Sequence, residues 1–124
     1  MNKFKEVTFQ DNILTLTWLE NTENLTDELF KNEALEFKEA VRKHTPESII
    51  VDMRDFNYIL SEDLLNWRNK NIIPVYNEIG LQKFAFIVNN IKNSPKPNSN
   101  NNDDTFVTEY FDNDDDAIKW LNFQ

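Results

Sequence analysis

The chain of 124 residues is the length of one domain, and a hydrophobic content of 40%, with ten Phe, three Tyr and three Trp, suffices for one ordinary core. It has no Cys, which excludes disulfides, thiolate metal sites and a Cys nucleophile. A formal charge of −9 argues against a nucleic-acid partner, because phosphate backbones are held mainly by Lys and Arg, and equally against docking on an anionic membrane.

The start of the chain, Met1-Asn2-Lys3-Phe4-Lys5-Glu6, carries no apolar run of signal-peptide length. No later segment approaches the roughly 20 apolar residues that span a bilayer. The sequence therefore reads as soluble and cytoplasmic. Phe4 to Phe9 and Ile13 to Leu19 read as two strands joined at Gln10-Asp11-Asn12, a sequence suited to a tight hairpin turn. In the second strand Leu14, Leu16 and Trp18 share one face.

Thr26-Asp27-Glu28 opens a helix, with Thr26 as N-cap and acids in the first turn. Phe30, Ala34, Phe37 and Val41 form its buried stripe. Arg42, Lys43 and His44 suit its negative end, and Pro46 stops it. Ser48 to Met53 is the central unit: Ile49-Ile50-Val51 is a β-branched run of the kind found where both faces of a strand are covered. A polar loop then leads to Ser61, an N-cap followed by Glu62-Asp63 at the positive end of a helix dipole.

Apolar positions continue in helical spacing from Leu64 to Ile79, interrupted by Pro74. A proline there kinks or breaks the helix near Asn71 and can begin a second, short one. Gly80, the chain's one glycine, marks the stop. Phe84 to Val88 reads as another buried strand, 93–104 as a flexible polar loop too poor in apolar groups to offset its ordering entropy, and Phe106 to Phe111 as a last strand. Asp112 or Asn113 then caps a final helix that presents Ala117, Trp120 and Leu121 on one face. The expectation is a single α/β domain over 1–124, in the order β-β-α-β-α-β-β-α, with a mixed four- to five-stranded sheet and helices packed against it.

The strand Ile49-Ile50-Val51-Asp52-Met53 leading to Ser61, the strand Lys83 to Val88, and the ending Tyr110 to Leu121 resemble the SpoIIAA-like proteins, small bacterial domains also labelled STAS/SEC14-like. The resemblance covers nearly the whole chain, through residues that are mostly structural. It implies a STAS-like fold and says little about activity. STAS regulators of the anti-sigma-factor-antagonist type carry an Asp-Ser-Ser-Gly or similar motif whose serine a partner kinase phosphorylates. That serine falls on Ser61, but Leu60 replaces the Asp, and Glu62-Asp63 replace the following Ser-Gly. The motif itself is absent, and a phosphate beside two acids meets like-charge repulsion, so simple N-capping is the better account of Ser61.

Other chemistry is equally sparse. Asp112, Asp114 and Asp116 mimic the start of an EF-hand loop, but Ala117 stands where Gly is needed and Phe123 where a bidentate Glu is needed. His44 is the sole histidine and one glycine cannot build a phosphate loop, so no metal or other cofactor and no ordinary hydrolase or kinase chemistry is expected. Asp52, Arg54 and Asp55 cluster after the central strand, most simply as an ion pair. Phe56, Tyr58, Ile59, Leu60 and Trp67 give the adjoining loop and helix more apolar surface than a solvated loop needs.

In an open α/β sheet, ligands and partners are met beyond the carboxyl ends of the strands. The sequence thus points to a non-enzymatic module that uses Asp55, Phe56, Tyr58, Leu60, Ser61 and Trp67 to bind a protein partner or a second copy. The alternative is a carrier of a small apolar ligand such as a lipid, in a cleft beside a helix kinked at Pro74.

Overall fold

The computed structural model describes residues 3–90 and 105–122. Strands β1 (Lys5–Gln10) and β2 (Ile13–Trp18) form an antiparallel hairpin in unbroken register from Lys5↔Trp18 to Gln10↔Ile13. Its two-residue turn requires positive φ at both positions, and Asp11 and Asn12 provide 55° and 64°.

A 3₁₀ turn, Glu20–Asn24, leads into α1 (Asp27–His44). Thr26 caps α1 by accepting a hydrogen bond from Leu29 N at 3.1 Å, and the acids and bases at its two ends oppose the helix dipole. The helix closes on Thr45, whose φ of 40° is strained for a β-branched residue, before Pro46 turns the chain into β3 (Ser48–Asp52).

The segment 61–79 is broken rather than kinked. Helix α2 (Glu62–Asn71) stops at Ile72, and α3 (Ile73–Glu78) begins with Pro74 in its first turn, where the missing N–H costs nothing. Gly80 at φ 73° ends it, and β4 (Lys83–Ile87), β5 (Val107–Phe111) and α4 (Asp114–Asn122) follow. The cap of α4 is Asn113, whose Oδ1 accepts from Asp116 N at 2.8 Å. The polar segment 93–104 lies outside the described residues, and no described helix is long and apolar enough to cross a membrane.

The strands lie side by side in the order β1-β2-β3-β4-β5, the first pair antiparallel and the others parallel. The class is therefore α/β with a mixed five-stranded sheet. Side chains alternate across it. On one face Leu14, Leu16, Trp18, Ile49, Val51 and Phe84 pack under α1, α2 and α3, which contribute Phe30, Phe37, Val41, Leu64, Val75 and Tyr76. On the other, Ile50, Ala85 and Ile87 meet Ala117, with Trp120 and Leu121 alongside.

Helix α4 lies against β4 and β5, so Glu6, Thr8 and Gln10 on the far face of β1 stay exposed. One charge is drawn into the helix side. The Lys5 ammonium is buried in β1 and reaches Glu33 at 2.6 Å and Glu36 at 2.9 Å on α1, an arrangement that satisfies the cation where water cannot.

Candidate functional site

The chain leaves β3 at Asp52, whose carboxylate shapes the turn that follows. It accepts from Arg54 N and Nε at 3.0 Å each and from Nη2 at 2.7 Å, and Nη2 also reaches Asp114 of α4 at 3.1 Å. Burial pushes the Asp52 carboxyl up, but the hydrogen bonds and charge of Arg54 outweigh it and hold the group below the usual carboxylate range. The hydrogen bond to Asp52, against a smaller burial effect, raises Arg54 in turn. The pair expected from sequence is thus a structural one that ties β3 to α4.

Beyond it, the loop 53–61 is laced to the 3₁₀ turn through Thr22, which is fully buried. Its hydroxyl accepts from Asn57 N at 2.7 Å and aims its single proton at Leu19 O, 2.8 Å away, with Asp55 O at 3.3 Å. Asn57 Nδ2 donates to Glu20 O at 3.1 Å, and Asn89 Nδ2 to Arg54 O at 2.8 Å. Each bond satisfies a polar group that an unsupported loop would leave to water.

Apolar contacts then alternate with exposure. Phe56 packs its ring 5.1 Å from Trp18 and 6.3 Å from Phe30, and Tyr58 and Leu60 also lie half-buried against the main core. The Tyr58 hydroxyl donates to Asp27, which raises the phenol together with partial burial. Ser61 caps α2 by accepting from Leu64 N at 3.1 Å, so its exposed hydroxyl already has a structural use. Asp55, Asn57, Ile59 and Ser61 point the other way, and Ile59 stands 91% exposed between two anchored neighbours.

Beside this loop, at the carboxyl ends of β2 and β3, lies an open cleft of about 490 Å³. Glu20, Asn21, Glu23, Arg54, Asp55 and Asn57 line it. Three carboxylates face one guanidinium that is already engaged by Asp52 and Asp114, so the lining favours cationic and hydrogen-bond-donating groups. The Asn21 amide nitrogen is buried there without a hydrogen-bond partner among the described residues, while its oxygen accepts from Asn24 at 2.7 Å.

The structure brings Asp55, Phe56, Tyr58, Leu60 and Ser61 together on one ordered loop. It sends Trp67 elsewhere, half-buried against α1 with Lys31 Nζ 5.6 Å from its ring centre. Pro74 is exposed on α3 beside a notch of about 150 Å³, whose other lining residues are Lys38, Arg42, Lys70, Asn71, Val75 and Glu78. His44 stacks on Phe9 with ring centres 4.4 Å apart. Asn113 binds both Asp112 and Asp116, which accounts for part of the acidic run as helix-end structure.

Two features escape sequence reasoning. The 3₁₀ turn that walls the cleft is a run of Glu, Asn and Thr with no apolar period to announce it. Arg68, on a helix where a cation reads as surface, is half-buried within electrostatic reach of Tyr76 and Tyr110, with its Nε buried and lacking a partner among the described residues. Burial works against its charge and pushes the Tyr110 phenol up to about 12, and Tyr76 higher still. Comparison of the chain with protein-family models, with curated proteins and with solved structures yields no match.

Proposed function

We propose that this protein is a non-enzymatic interaction module that engages a protein partner through the loop 53–61, with Ile59 as apolar anchor and the adjoining acidic cleft as polar rim. One observation carries the reading: a large aliphatic side chain is held 91% in solvent by a loop whose flanking residues are fastened to the core. Full burial of an Ile side chain against a partner gains about 1.5–3 kcal/mol. Because Thr22, Asp27 and Trp18 already order the loop, little conformational entropy is lost on docking. The resemblance to STAS regulators supports the same place, since their partner kinase acts where the central loop meets the helix.

The carrier reading draws no such support, because the notch beside Pro74 is lined mainly by charged and amide groups. Affinity purification from the source lysate distinguishes the readings. Proteins retained by the wild type should be lost with Ile59→Asp and kept with Val107→Asp, a control at another exposed aliphatic residue. Retention of the same proteins by a folded Ile59→Asp variant overturns the assignment.

A further inference from the structure

We infer that β1 is a self-association edge, on which a second copy of this chain adds its own β1 in antiparallel pairing. The strand stands at the end of the sheet, paired among the described residues with β2 alone. Which backbone groups it offers follows from one bond: Leu19 N donates to Phe4 O at 2.9 Å. Antiparallel pairs alternate, so Glu6, Thr8 and Gln10 bond to β2, while Lys5, Val7 and Phe9 turn their N–H and C=O groups outward.

Among the described residues no further strand covers this edge. The register with β2 runs without a bulge, the strand has no proline, and the cation that should repel a neighbour, Lys5, is already neutralised by Glu33 and Glu36. Val7 and Phe9 flank the open edge at 37% and 38% exposure, apolar surface that a second strand would cover.

Charge fixes the occupant and its register. Centred on Val7, the pairing sets Val7 against the partner's Val7, Lys5 against the partner's Phe9 and Glu6 against the partner's Thr8. No two like charges are opposed among these paired residues of the strand. All three outward residues of each strand are then hydrogen-bonded. A register centred on Glu6 opposes two carboxylates, and one centred on Thr8 sets Lys5 against Asp11, a turn residue with φ 55° that cannot continue the ladder. At the other end of the sheet, β5 carries Glu109 at its midpoint, where two-fold pairing would oppose two carboxylates.

Sedimentation velocity on the full chain tests this. The wild type should approach twice the 14.8 kDa monomer mass as concentration rises. Val7→Pro, which removes an outward N–H and no bond to β2, should sediment as monomer with unchanged circular dichroism. Val7→Lys opposes two cations and should do the same if proline perturbs the strand. In this cysteine-free chain, Glu6→Cys mixed with Thr8→Cys should form an interchain disulfide on oxidation and Glu6→Cys alone should not, because residues 6 and 8 of the two strands form the closely spaced pair, with Cα atoms about 4.5 Å apart. A wild type that stays monomeric throughout overturns the inference, whether or not it captures an added β-strand peptide, and so does a folded Val7→Lys dimer.

Discussion

On the helix side of the sheet, Leu14, Val41 and Ile49 lose all contact with solvent beneath three helices, whereas on the other side the nine residues of α4 lie against β4 and β5 and leave Glu6, Thr8 and Gln10 in water. Topology produces the difference. Neighbouring parallel strands take crossovers of one hand, which sends α1 and the α2–α3 pair to the same face, and among the described helices α4 alone covers the other. The thinly covered side makes up part of the deficit electrostatically, through the Asp52–Arg54–Asp114 network at the start of α4.

The comparison is sharpest in the two cores. Leu14→Ala opens a cavity fixed between β2 and α1, and should cost about 3–4 kcal/mol in urea unfolding. Ile87→Ala, at a residue equally buried, should cost only about 2 kcal/mol, because a single helix can settle into the space. Equal losses would show that α4 is held as firmly as α1.

A smaller effect tests the electrostatic tie. Asp52→Asn should cost about 1 kcal/mol at neutral pH, since Arg54 is a third exposed and water screens the pair. The folded-state carboxyl of Asp52 lies below its unfolded value. The contribution is therefore complete above about pH 4, where the unfolded chain's group is ionised, and is lost as pH falls through the lower folded value. The gap between wild type and variant should close over that acid range in a pH series of thermal melts; a gap constant with pH would remove Asp52 from the account. Smallest of all, Thr8→Val on the uncovered face should stay within about 0.5 kcal/mol of wild type, since no packing is gained or lost there.

Local signals in the sequence carry through where the physics is itself local. Thr26 and Ser61 cap their helices with their own side chains, Asp11-Asn12 adopts the positive φ its turn demands, and Pro74 and Gly80 begin and end α3. Each outcome depends on bonds or steric limits within a few residues. The loop 53–61 is legible only in part. Its excess of apolar side chains is visible, but in an extended segment the choice between Ile59 and its neighbours depends on which parity the anchors select.

Those anchors, Thr22 to Asn57, Tyr58 to Asp27 and Phe56 to Trp18, join residues about 30 or more positions apart. The sequence by itself determined the strands, the helix caps at Thr26 and Ser61 and the α/β class, because periodicity and capping are properties of neighbouring residues. Tertiary structure alone decided that Ile59 faces water, that the 3₁₀ turn walls an acidic cleft, and that β1 pairs with β2 alone among the described residues, because each depends on which distant surfaces the sheet brings together and which it leaves uncovered.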